Sequence, residues 1–261
     1  MVTLETSNEV LFLLKDDIFT KFTILTTKFL PLPPKIILLD SPNKEILSLS
    51  QTKTLPLLKS SDIFFSGTIP ILKYLIHSSK DISDGINMDN RVILLGKNER
   101  EEARVDTWLN FIFDKIYPII GEIESQLYGK KKFDIRSFEY AENDLLEILV
   151  DINQYLELKP FLTDNHVQLS DILLTSALFN LYNDILTQNE LNLIPNVIRV
   201  FKFVANMRLF KMVFGKAIPC KKVKKHLPFN EKEKEKHEKK EINENNNENK
   251  KKKNKKNKEN K

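Results

Sequence analysis

Apolar and polar positions along the chain follow two regimes. In the first third the apolar residues come in short runs: Val10-Leu11-Phe12-Leu13-Leu14, Ile36-Ile37-Leu38-Leu39, "TLPLL" at 54–58 and "DIFF" at 62–65. A continuous run such as Val10–Leu14 predicts a strand buried on both faces. Between the first two runs, Ile18 to Leu30 reads as a helix closed by "PLPP". A second helix begins at "SGTIPILKYLIH", with Pro70 in its first turn, where a missing N–H costs little. The order β-α-β, then β-β-α, predicts a mixed four-stranded sheet with helices on its faces. Pro56 does not suit the interior of a central strand. It suits a cis Leu55–Pro56 bend that leads into the third strand.

Beyond "DISDGINMDN" the pattern becomes helical only. Residues 98–114 carry Ala103, Val105, Trp108, Leu109, Phe111 and Ile112, and residues 138–157 place Phe138, Ala141, Leu145, Ile148, Leu149, Ile152 and Leu156 at helical spacing. "DILLTSALFNLYNDIL" at 171–186 is apolar nearly all round, which predicts a helix at the centre of a bundle. Asp171 opens it, where a carboxylate suits the positive end of the helix dipole and can accept orphan backbone N–H bonds. Val197, Val200, Phe201, Val204 and Met207 form the seam of a closing helix, with Phe210, Val213 and Phe214 following. Gly215 and Pro219 stop it. The fold class is therefore α+β. A sheet-containing, thioredoxin-like domain at 1–80 precedes an all-helical domain at 94–226 and a tail at 230–261.

Charge sharpens this division. The formal net charge is +5, yet residues 230–261 hold 13 Lys and 8 Glu, and residues 216–229 add five Lys and no acid. Residues 1–215 then carry 23 basic and 28 acidic side chains, a net of −5. The globule is acidic and its tail basic. The tail has one aliphatic residue, Ile242, and too little apolar surface to offset its ordering entropy, so disorder is expected. A lysine run without interleaved aromatics or arginines reads as a solvated linker, with weak, nonspecific, salt-sensitive RNA contact as the sharper reading. Cys220 is the single cysteine, which excludes a disulfide within the chain. No apolar run approaches a membrane span and no signal peptide is evident, so a cytoplasmic protein is expected.

Three pieces of the sequence resemble the glutathione-transferase family. "TLPLL" occupies the place of that fold's proline turn. "FFSGTIPILKYL" looks like its Glu/Gln-Ser-x-x-Ile segment, with Ser66, Ile69 and Tyr74-Leu75 in the matching places. "NHVQLSDILL" resembles the stretch before its central buried helix, with Asp171 at the buried aspartate. That motif carries Ser or Thr three residues before the aspartate. Gln168 stands there, a poor N-cap, and Ser170 is the candidate to cap in another register. "RVFKFVANMRLFKMVFGKAIPCKK" and "LLGKNEREEARVDTWLNF" further resemble the transferase-like domain of the gamma subunits of eukaryotic elongation factor 1. The resemblance covers roughly residues 8–222 and is strongest after 94.

By this resemblance the domain binds the guanine-nucleotide-exchange subunit of that complex, and performs no chemistry. It also implies pairing with other transferase-like domains, a second copy included. Two readings compete with it: a divergent glutathione transferase, and a transferase-like docking module of an aminoacyl-tRNA synthetase assembly.

The candidate site residues follow from the same comparison. A transferase places a hydroxyl or thiol near the end of the first strand to stabilise the thiolate of glutathione. "LLKDDIFTK" offers Thr20 alone, a weak catalytic candidate. Leu55, Pro56, Phe65 and Ser66 are the remnant of a glutathione site. Phe65 replaces the acidic or amide residue that meets the peptide's γ-glutamyl end, and it offers no hydrogen bond. Glutathione as a ligand stays open, and no other cofactor is expected. His77 and His166 stand alone in sequence, so no metal site is expected. Trp108 and Phe111 read as core, and Cys220 as a packing thiol.

Overall fold

The computed structural model describes residues 8–80, 92–163 and 165–229. The Lys/Glu/Asn-rich tail at 230–261, expected to be disordered, lies outside the described residues. Strands β1 (Val10–Leu14), β2 (Lys35–Leu39), β3 (Leu57–Ser60) and β4 (Ile63–Ser66) form one sheet in the order β2-β1-β3-β4. β1 and β2 run parallel, while β3 is antiparallel to both β1 and β4. The parallel pair is joined by α1 (Thr20–Thr27), α2 (Lys44–Ser48) follows β2, and α3 (Thr68–Lys80) follows β4.

One expectation about this sheet fails. β1 is not buried on both faces. Leu11 and Leu13 are fully covered, whereas Val10, Phe12 and Leu14 alternate with them and stay partly exposed. The physical reason is that α1 and α3 pack together over the face that carries Leu11 and Leu13, contributing Phe22, Leu25, Ile71, Leu72 and Leu75 to the core. The other face receives no comparable cover. A purely apolar run can therefore be half-buried when its strand alternates in space but not in sequence.

The helical part comprises α4 (Glu99–Phe111), α5 (Tyr117–Leu127), α6 (Ile135–Tyr155), α7 (Leu169–Asp184), α8 (Gln188–Leu193), α9 (Pro195–Ala205) and α10 (Arg208–Phe214). Asn98 caps α4 by accepting from Glu101 N at 3.0 Å. Between α4 and α5 the ladder widens into a π-helical turn, Ile112–Ile116. Pro118 enters α5 just after it. Having no N–H, Pro118 cannot close the usual bond four residues back, and the wider turn accommodates the gap. α7 is central, packed against α1, α4 and α9, with Ile172, Leu173, Leu181 and their neighbours buried round most of its circumference.

The closing helix divides in two. Asn206 turns its side-chain amide back to Lys202 O at 2.8 Å, and Met207 takes an extended conformation before α10 begins. An asparagine that bonds its own backbone competes with continuation of a helix. Val197, Val200, Phe201 and Val204 are buried, each worth about 1.5–3 kcal/mol relative to exposure. After Gly215, in the left-handed region at φ +88°, the chain runs as a strap across the ends of α7 and α5. Cys220 N donates to Tyr182 O, Lys224 N to Asp184 O and Leu227 N to Leu127 O, all at 2.8–2.9 Å.

Candidate functional site

The end of β1, the start of α1 and the turn before β3 meet at one cleft. Leu13, Leu14, Asp17, Phe19, Thr20, Leu55 and Pro56 line it. The Leu55–Pro56 peptide is cis, and Gly67 N donates to Pro56 O at 3.2 Å, which ties the turn to the end of β4. The structure thus gathers three of the predicted residues, Thr20, Leu55 and Pro56, in one place.

The cleft encloses no space that a water molecule could occupy. Phe19 explains why. Its ring lies 4.6 Å from that of Phe113 and 4.5 Å from that of Tyr117. This cluster plugs the gap between the sheet and the turn joining α4 to α5. Asp17 holds the plug in place by accepting from Phe19 N at 2.8 Å. The Tyr117 hydroxyl is buried without a hydrogen-bond partner among the described residues, and burial pushes the phenol far above its ordinary range. The proton stays on that hydroxyl, but it is sealed from the surface, so a thiolate arriving from outside cannot reach it. The sequence reading did not single out Phe19. Its side chain stands one residue before Thr20, but its partners lie more than ninety positions away.

Thr20 is 5% exposed, and its hydroxyl donates to Leu14 O at 2.6 Å. That bond closes the last carbonyl of β1 and uses the one proton a thiolate would need. Phe65 and Ser66 do not line the cleft. Phe65 pairs with Leu58 in the ladder and stacks on Tyr74 of α3 at 4.4 Å. Ser66 accepts from the Thr52 hydroxyl at 2.9 Å. A phenylalanine stacked into the face under α3 cannot receive a ligand's charged end.

The N-terminus of α7 has a different character. Asp171 is fully buried and accepts from Leu162 N and Gln168 N, each at 2.9 Å. Burial pushes its carboxyl up to about 7, against the downward pull of those amide donors. Gln168 is the N-cap residue by position; Asp171 makes the return half of a capping box to its backbone N–H, while Gln168 Oε1 lies buried without a close hydrogen-bond partner among the described residues. Ser170 does not cap: its hydroxyl is buried with no hydrogen-bond partner among the described residues. The expected second register fails because Ser170 is the second residue of α7, inside the helix and not at its cap position.

The remaining candidates are structural in place. Trp108 packs edge-on to Phe111 and Tyr155. Cys220 is 7% exposed, and burial pushes its thiol up, away from thiolate character. His77 Nε2 lies 3.0 Å from Glu102, beside the Lys73 ammonium that bridges Glu102 and Asp106. Among the described residues no group of three His, Cys, Asp or Glu side chains gathers as a metal site. No described helix is long and apolar enough to cross a membrane.

The GST-like domain of elongation factor 1-gamma from Saccharomyces cerevisiae superposes with a TM-score of 0.69 at 18% identity, covering 86% of this chain and all of that one. The fold is glutathione-transferase-like. Elongation factor 1-gamma of Danio rerio is 28% identical over 131 residues, half of this chain and 30% of the relative's length. The valine–tRNA ligase of Takifugu rubripes is 25% identical over 126 residues, 48% of this chain and 10% of that enzyme. No family model matches the chain. The chain therefore resembles elongation factor 1-gamma over a limited part of that protein, and shares the architecture of its GST-like domain.

Proposed function

We propose that this chain is a non-catalytic scaffold subunit of a cytoplasmic translation elongation factor 1 complex, and that its transferase-like part binds the guanine-nucleotide-exchange subunit. The observation that carries the non-catalytic reading is the filled cleft. Phe19 occupies it, Thr20 spends its proton on Leu14, and Phe65 faces away. What points to translation is the similarity to elongation factor 1-gamma. A fold kept while its ligand cleft is filled suits a protein used for its surfaces.

Affinity capture of the tagged full chain from cell extract tests this. Recovery of the exchange subunit in stoichiometric amount is the expected result. The second reading, a docking module in a tRNA-synthetase assembly, is favoured by the similarity to valine–tRNA ligase. Recovery of synthetases without the exchange subunit would select it. A glutathione-resin pull-down and a thiol-conjugation assay test the cleft itself, and clear turnover would overturn the non-catalytic reading. The basic tail adds weak, nonspecific RNA contact, visible as binding that fades with salt.

A further inference from the structure

We propose that the groove between α5 and α6 is the docking site for this chain's own lysine-rich segment, residues 249–261.

α6 carries five acids, Glu139, Glu142, Asp144, Glu147 and Asp151, against a single base, Arg136. Glu139, Asp144, Glu147 and Asp151 are exposed and form no ion pair among the described residues. Burial pushes the Glu142 carboxyl up, and the charges of Glu190 and Glu139 add to the shift. Beside these acids lies a groove of about 600 Å³, lined by Pro118, Ile119, Ser137, Tyr140 and Asp144 among others. Tyr140 is 72% exposed at its rim. An uncovered aromatic ring flanked by carboxylates suits a lysine, whose ammonium meets the charge while its stem lies on the ring.

The occupant follows from where the described chain stops. Leu227 N bonds Leu127 O at 2.8 Å at the end of α5, and His226 stacks flat on Phe133 at 4.2 Å. Phe133 immediately precedes Asp134, the N-cap of α6 and a lining residue of the groove. The chain is thus delivered to the mouth of the groove. Residues 249–261 hold eight Lys and one Glu, the most basic stretch of the protein. The intervening 230–248 has a linker's composition, and a flexible linker of that length spans on the order of 25 Å. The 21 residues of α6 extend about 30 Å, so the lysines reach most of the acidic face. Tethering holds them there at an effective concentration of order millimolar, enough for contacts that are individually weak. The lysines that dock are also those that would meet RNA phosphates, so the acidic face and RNA compete for one segment.

Zero-length carbodiimide cross-linking of the full chain tests the proposal, using an equal mixture of isotopically light and heavy protein at low salt. The expected result is amide links from Lys250–Lys258 to Glu147 and Asp151 within one chain, lost at high salt. In Glu139→Lys/Asp144→Lys, links to the untouched Glu147 and Asp151 should fall about tenfold, because like charges now line the approach. Tyr140→Ala should reduce them less. Melting of each variant, exposed as these positions are, checks that the fold persists. Links spread evenly over remote exposed acids such as Asp16, Glu45 and Asp62 would overturn the proposal. So would links found only between light and heavy chains, which would make a second copy the occupant.

Discussion

At the N-terminus of α7 a buried carboxylate meets two backbone amides; at the end of β1, where a bound peptide would need polar partners, the chain has placed aromatic rings. Both regions belong to one architecture, in which α1 packs against α7. In the first, Asp171 satisfies N–H groups of Leu162 and Gln168 that no solvent can reach. In the second, Phe19 lines the cleft and packs its ring against those of Phe113 and Tyr117. The difference separates what folding requires from what ligand chemistry requires. An unpaired buried amide is penalised whenever the protein folds. Filling the cleft adds apolar contacts, against the cost of leaving the Tyr117 hydroxyl buried and unpaired.

The contrast is broken most forcefully at Asp171. Asp171→Ala leaves two buried amides without acceptors and should cost about 3 kcal/mol or more. The melting temperature should drop by roughly 10 °C in a calorimetric scan. If the variant melts like the parent, the carboxylate is not the structural keystone of α7. Phe19→Ala comes next. It should cost about 2–3 kcal/mol, less than a fully enclosed phenylalanine because the ring is partly exposed. It should open the cleft without creating thiol conjugation, since Thr20 stays bonded to Leu14. Conjugation appearing in that variant would show that the plug alone separates this protein from a working transferase.

Acid dependence sharpens the same comparison. The Asp171 carboxyl titrates near 7 in the folded protein and near 3.8 when unfolded. Between those values the native state holds a proton that the unfolded chain releases. Its contribution to stability is therefore greatest below about 4, declines as pH rises toward 7, and is flat above. Asp171→Asn should remove that decline from a series of melts across the window while remaining less stable than the parent. An unchanged pH profile would assign the slope to other groups. Thr20→Val should have a smaller effect, about 1 kcal/mol, for the lost bond to Leu14 O. It should leave any thiol chemistry untouched, and a loss of turnover would restore Thr20 as a catalytic residue. Deleting 230–261 should change melting least, because the segment has almost nothing apolar to bury.

Much of the architecture was legible in one sequence because its signals are local. Four short apolar runs, Pro56, and the all-round apolar 171–186 stretch each mark an element by spacing or by a backbone constraint that neighbours in sequence impose. α2, α5 and α8 were missed because short or proline-opened helices lack a long periodic face, and α5 is entered through a π-helical turn that breaks the period. The paired face of β1 could not be read from Val10–Leu14, since every position there is apolar. At the site, Pro56 and Asp171 stood out by residue type and place in the pattern, and Thr20 followed from the resemblance to glutathione transferases. Ser170 was misjudged because a cap depends on the helix register to the residue. The plug at Phe19 was invisible because closing it needs Phe113 and Tyr117 brought from the helical part. Element order, charge polarity and the buried carboxylate were thus determined by the sequence alone, through local spacing and composition. Whether the cleft is open, which hydroxyl has a free proton, and where the strap after Gly215 crosses the helices were decided only by tertiary contacts, because each depends on groups far apart in the chain meeting within a few ångströms.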